Sequence, residues 1–190
     1  MRLVAKGYSQ IAGLDFEKTF APIVRIESIC ALFALTVQKD LEIIHLDCMN
    51  TFLYGHSDLE LYVSQPEGFT DKRYLEKVLK LNKSLYRIKQ APRIWYLLLC
   101  SVICSLGFVS LESNISIYCH NKHGIIFAVF IDDILIFGPT KNHCNSVYYA
   151  LQKHFMVRNL GFPTTFLGLA VTRSSFSITI NQTGYIDRIL

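Results

Sequence analysis

Gly124-Ile-Ile-Phe-Ala-Val-Phe-Ile-Asp-Asp-Ile-Leu-Ile-Phe137 is the stretch on which the fold turns. Two apolar runs, Gly124 to Ile131 and Ile134 to Phe137, flank the pair Asp132-Asp133. Short runs rich in Ile, Val and Phe read as buried strands, so the stretch predicts a strand pair with two carboxylates at its tip. Asp is common in turns, and the dipeptide alone fits a solvated turn. The apolar flanks shift the reading toward a functional tip. Adjacent carboxylates repel and are costly to desolvate, and a divalent cation that prefers hard oxygen ligands removes both costs. Asp132 and Asp133 are therefore candidate Mg²⁺ ligands.

Upstream, Ile44-His45-Leu46-Asp47-Cys48 closes a predicted strand over Glu42 to Cys48. Asp47 could cap a short helix that follows. It could equally join Asp132, because two-metal phosphoryl transfer draws carboxylates from neighbouring strands. A third segment, Ser84-Leu-Tyr-Arg-Ile-Lys-Gln-Ala-Pro-Arg-Ile-Trp95, is a basic, aromatic and amide-bearing loop that enters a Pro-started helix. Its chemistry suits phosphates and a base pair; the plainer alternative is a solvated helix entry anchored by Trp95.

Around these three segments, apolar spacing predicts a helix from Pro22 through Val37 and another from Pro92 that stops at Gly107. Short strands are expected over Leu61–Ser64 and Val78–Leu81, with a turn at Gln65-Pro66-Glu67-Gly68. A helix is expected over 142–154, strands over Phe166–Thr172 and Phe176–Ile180, and a last helix near Gly184. The class is α+β. With 51% hydrophobic and 18% charged residues in a chain of 190, a disordered chain is excluded. A net charge of +4 permits a nucleic-acid partner without indicating one. The six cysteines follow no framework spacing and the N-terminus has no signal-peptide core, which predicts a reduced, intracellular setting. Cys100, Cys104, Cys119, His120 and His123 match no zinc spacing. Residues 94–111 carry no charge and approach the length of a spanning helix, but three serines and Gly107 interrupt them, so no membrane partner is expected.

Arg2-Leu-Val-Ala-Lys-Gly-Tyr-Ser-Gln10, Thr19-Phe-Ala-Pro-Ile-Val-Arg25, Leu46-Asp47 with Phe52-Leu53, Gln65-Pro-Glu-Gly-Phe69, Lys89-Gln-Ala-Pro-Arg93, Asp132-Asp133, Phe166-Leu-Gly168 and Tyr185-Ile186 follow one another in this order. Each resembles a block of the Ty1/copia-type retrotransposon reverse transcriptase domain. Any one block is weak, while the ordered set is specific and covers nearly the whole chain. The resemblance implies a single reverse transcriptase domain over residues 1–190, part of a Pol polyprotein and truncated at its C-terminal end. It implies fingers and palm, with an antiparallel palm sheet packed on helices and no thumb. The implied activity is RNA-directed DNA polymerisation, with two Mg²⁺ ions, a primed RNA or DNA template, and deoxynucleoside triphosphates. The implied location is the cytoplasm or a virus-like particle.

Residue by residue, Asp47 resembles the first catalytic aspartate, and Asp132 and Asp133 the paired ones, all three as metal ligands. Phe52 stands where the family places an aromatic gate against a ribose 2′-hydroxyl. Gln90 and Ala91 resemble the loop against the incoming nucleotide. Arg2 and Lys6 match a basic fingers segment facing the triphosphate or the template. Phe166, Leu167 and Gly168 resemble the hairpin that grips the primer end. The chain departs from the family at Arg87 (usually Gly), Phe130 (usually Tyr), Thr51 (usually smaller) and Arg158 (usually Lys). It departs again at Leu97-Leu98-Leu99-Cys100, usually a mix of Lys and Asp. If the loop needs a left-handed backbone at Arg87, the side chain there costs roughly 1–2 kcal/mol. These departures sustain an alternative, a catalytically inactive retroelement remnant that folds or binds nucleic acid weakly.

Overall fold

A computed structural model describes residues 3–190, so Arg2 lies outside the described residues. In chain order its elements are α1 (Ile26–Lys39), β1 (Glu42–Cys48), β2 (Tyr62–Val63), β3 (Leu79–Lys80), α2 (Ala91–Ser105), β4 (Val109–Leu111), β5 (Asn114–His120), β6 (Ile125–Phe130) and β7 (Asp133–Gly138). They continue with α3 (Lys141–Gln152), β8 (Val157–Gly161), β9 (Thr165–Phe166), β10 (Leu169–Arg173), β11 (Ile178–Asn181) and α4 (Thr183–Ile189). Helices are mixed with antiparallel sheets, the α+β class expected. The chain divides into two compact units. One joins the N-terminal segment through Pro22 to Asn50–Ser101; the other joins Ile23–Met49 to Val102–Leu190.

The second unit is built on a six-stranded sheet in the order β4-β5-β6-β7-β1-β8, every neighbouring pair antiparallel. Side chains alternate between the faces of a strand, so register decides what each face holds. In the β1–β7 pair, Ile43 faces Phe137, His45 faces Leu135 and Asp47 faces Asp133 on one side, while Ile44–Ile136 and Leu46–Ile134 share the other. The first face is covered by Ile29, Leu32 and Phe33 of α1 and by Phe166, Leu169 and Val171 of a three-stranded sheet, β11-β10-β9. Full burial of each such side chain stabilises by about 1.5–3 kcal/mol, so this face anchors the unit. α3 packs against β1, β7 and β8, with the Cys144 thiol donating to the Ile136 carbonyl at 3.9 Å.

α1 starts at Ile26 rather than at Pro22. Val24 is held extended instead: its N–H donates to the Val129 carbonyl at 3.0 Å and its side chain is 2% exposed. The apolar residue belongs to the core but not to the helix. The strand expected over Phe166–Thr172 is broken into β9 and β10 by Leu167 and Gly168, both at positive φ (52° and 78°). A two-residue turn with both φ positive matches the twist of a hairpin. β4, β5 and β8 are strands the periodicity did not announce.

In the first unit, β2 and β3 form a two-stranded ribbon. Ala5, Leu61, Leu85, Ile88 and Ala91 form its buried cluster, with Phe52 packed against it. Trp95 is buried beside Tyr54, ring centroids 6.0 Å apart. The uncharged stretch 94–111 is not one helix. α2 ends at Ser105, Gly107 adopts φ 88°, and β4 follows. Among the described residues no helix is long and apolar enough to cross a membrane.

Candidate active site

The tip of the large sheet gathers the three aspartates of the sequence reading within one unit. β6 and β7 are joined by the two-residue loop Ile131-Asp132, and their last pair is Phe130–Asp133. On the other side of β7, Asp47 of β1 stands directly opposite Asp133. The Cys48 N–H donates to the Asp132 carbonyl at 2.9 Å and ties the loop to the end of β1. Like charges directly opposite on one face destabilise a sheet. On that principle the pair is unfavourable for the fold alone. Asp132 is exposed, and Asp47 and Asp133 are half-buried. Ile131 closes the loop at φ 57°, a rare conformation for a β-branched residue. Such outliers cost of order 1–3 kcal/mol and cluster at functional sites.

Electrostatics record the same convergence. Burial first, and then the negative charges of Asp47, Asp132 and Asp133, push the Cys48 thiol up to about 12. Asp133 Oδ1 lies 2.8 Å from His45 Nε2. A carboxylate only accepts, so Nε2 carries the proton of this bond. On the far side of β1, Arg158 of β8 is the register partner of Asp47.

Among the described residues no three His, Cys, Asp or Glu side chains gather closely enough to cage an ion by themselves. Mg²⁺ does not ask for such a cage, since it keeps several waters and is usually held by one or two carboxylates plus substrate phosphates. The donors at the tip are all hard carboxylate oxygens, open on the Asp132 side, and their chemistry fits that ion.

Phe166, Leu167 and Gly168 lie on the β9–β10 turn of the same unit. The Phe166 ring stands edge-on to His45, centroids 5.5 Å apart and planes at 82°. His45 thus touches both the aspartate tip and this hairpin. No motif marks His45, yet the signal was available: in a strand, the residue two before Asp47 shares its face.

The other predicted residues belong to the first unit. Phe52 sits on a short 3₁₀ turn, Thr51–Leu53, edge-on to Tyr86 with centroids 5.1 Å apart. Ala91 opens α2 and is buried with Leu85 and Ile88. Gln90 is only 6% exposed. Its Nε2 donates to the Asp15 carbonyl at 2.9 Å and its Oε1 accepts from Gln10 Nε2 at 3.1 Å. Gln10 Oε1 in turn accepts from the Lys89 N–H at 2.7 Å. The Gln90 amide is thus spent inside the protein, holding the loop to the N-terminal segment. The Ala5 N–H donates to the Tyr86 carbonyl at 2.9 Å, and a Cβ on Gly7 would overlap the Arg87 carbonyl oxygen. Arg87 adopts φ 68°, the left-handed backbone that a glycine would take without strain. Lys6 is exposed just before these contacts. Gln10, like His45, takes a place here that its sequence motif does not assign.

An antiparallel sheet with acidic residues on a hairpin tip and on the adjoining strand is the framework of a polymerase palm. The family described as reverse transcriptase (RNA-dependent DNA polymerase) matches residues 1–190, and the chain belongs to it. It is 37% identical over 194 residues to the retrovirus-related Pol polyprotein from transposon TNT 1-94 of Nicotiana tabacum, a match covering 100% of this chain and 15% of that protein. It is likewise 37% identical over 191 residues to the Pol polyprotein from transposon RE1 of Arabidopsis thaliana, covering 100% of this chain and 13% of that one. The chain thus spans a small part of these relatives and corresponds to the reverse transcriptase domain of a copia-type Pol polyprotein. Among solved structures, apo telomerase from Candida tropicalis superposes with a TM-score of 0.44 at 12% identity, covering 84% of this chain and 40% of that one.

Proposed function

We propose that the chain extends a primer 3′-hydroxyl with deoxynucleoside triphosphates on an RNA or DNA template, as one domain of a longer Pol polyprotein. The observation that carries this reading is the direct opposition of Asp47 and Asp133 beside Asp132. That arrangement is unfavourable for the fold alone and suited to a metal-bound triphosphate. Asp47 and Asp132 would hold two Mg²⁺ ions with Asp133 assisting. Bound there, such ions supply charge neutralisation at the phosphates and a more acidic primer hydroxyl. Phe52 excludes a ribose 2′-hydroxyl by bulk. Gln90 and Ala91 act by fixing the loop that meets the nucleotide, Lys6 and Arg2 attract phosphate, and the Phe166–Gly168 hairpin holds the primer end.

One observation favours a second reading, the inactive remnant. Arg87 holds a strained left-handed backbone in the nucleotide loop, and small displacements of positioning groups can cost about a hundredfold in rate. Primer extension with the purified chain, Mg²⁺ and four deoxynucleotides separates the two. The polymerase reading expects slow extension, abolished by Asp132→Asn and accelerated by Arg87→Gly. No extension from either the chain or its Arg87→Gly variant, even with a downstream thumb restored, would favour the remnant.

A further inference from the structure

We propose that His45 is a positioning residue that sets the Asp133 carboxylate and the Phe166–Gly168 hairpin with a single ring. This rests on the polymerase reading above. His45 is 8% exposed in the middle of β1, on the face that carries Asp47. Its direct cross-strand partner is Leu135, so Asp133 is its diagonal neighbour, within reach of a long side chain. The Nε2–H to Oδ1 bond of 2.8 Å commits one oxygen of Asp133 to the protein. Only the other oxygen is left to face outward. The bond also draws charge from Asp133, which makes its place opposite Asp47 tolerable. Asp133 becomes the anchored carboxylate of the three, assisting Asp47 and exposed Asp132 at the ion with its second oxygen.

The second contact is made by the ring itself. Phe166 is buried at the end of β9 and meets His45 edge to face. The turn that follows, Leu167-Gly168, is therefore seated against the same side chain that orients Asp133. A His at this place couples the carboxylate to the hairpin through one rigid imidazole, which neither an aliphatic nor a small polar residue can do.

Two substitutions divide the contacts. His45→Gln keeps a donor at the Nε2 position and loses the ring; His45→Phe keeps the ring and loses the donor. Mn²⁺ binding to the whole chain, followed by electron paramagnetic resonance, reads the carboxylates without any turnover. His45→Phe is expected to weaken Mn²⁺ binding about tenfold, the range for partners that orient a metal ligand, while His45→Gln stays within about twofold of the unsubstituted chain. A second measurement needs no metal: the imidazole ¹⁵N resonances should show a protonated Nε2 that shifts in Asp133→Asn. For the hairpin, amide exchange at Leu167 to Leu169 should quicken in His45→Gln and not in His45→Phe. Equal Mn²⁺ affinity in all three folded proteins, or an Nε2 resonance indifferent to Asp133→Asn, overturns the proposal. Failure of the underlying reading looks different, because the unsubstituted chain would then bind Mn²⁺ no better than Asp132→Asn.

Discussion

The loop around Arg87 and the loop around Asp132 each contain a non-glycine residue at positive φ, and each is held in place by different means. Ile131 is flanked by ladder pairs, Phe130–Asp133 and Asp47–Asp133, with the Cys48 N–H on the Asp132 carbonyl. Backbone hydrogen bonds of two strands over-determine its conformation, so strain there can persist. Arg87 is flanked by side-chain amides: Gln10 on the Lys89 N–H and Gln90 on the Asp15 carbonyl, with Gly7 pressed against its own carbonyl. A clasp of side chains depends on single residues in a way that a ladder does not. The chain thus places its acidic groups on the more robust scaffold and the loop around Arg87 on the more fragile one.

The fragile clasp should break most easily at Gly7. Adding a Cβ forces it into the Arg87 carbonyl, which is backbone and cannot rotate away. Gly7→Ala should cost about 3 kcal/mol, the upper range of overpacking, read as a shifted urea midpoint, with faster amide exchange from Leu85 to Ala91.

The ladder-held tip has its own signature, in alkali. Folding raises the Cys48 thiol from 9.0 to about 12. The folded protein therefore keeps a proton that the unfolded chain releases. The associated stability is complete below pH 9 and is lost as pH rises from 9 toward 12, by up to about 1.4 kcal/mol per pH unit. Cys48→Ala should flatten the alkaline limb of a stability–pH curve, leaving the smaller share of Cys144, raised to about 11. Equal alkaline slopes in the two proteins would mean that neither burial nor the charges of the tip hold the proton on the thiol.

The smallest effect sharpens the contrast between the loops. Arg87→Gly relieves left-handed strain but gives the unfolded chain more freedom, for a net gain of about 0.5–1 kcal/mol. Ile131→Gly gives up a half-buried side chain as well and should show no gain. Thermal melts of the two variants side by side measure the difference.

Much of the fold was readable because its strands advertise themselves. Ile125–Phe130 and Ile134–Phe137 are apolar on both faces, as strands at the centre of a covered sheet must be. β5 was missed because Ser116, Ile117 and Tyr118 are buried in succession, a polar residue among them, so no period of two survives. β8 was missed because Arg158 and Asn159 have low strand propensity, and register with β1 rather than local preference makes it a strand. The aspartates could be named from their motifs, but their partners could not. His45 and Gln10 bond to residues 88 and 80 positions away, and no local pattern in a single sequence encodes such distances.

β8 closes the six-stranded sheet on one side, with β1 along one of its edges only. Among the described residues no strand pairs with its other edge, and an edge of this kind is a template for self-association. Arg158 and Asn159 are exposed along it, and Gly161 at φ 77° turns the chain out of the extended path. A charge and a bend are the ordinary guards of such an edge. Arg158, register partner of Asp47, thus stands as a guard against edge-to-edge pairing, a role separate from any at the acidic tip.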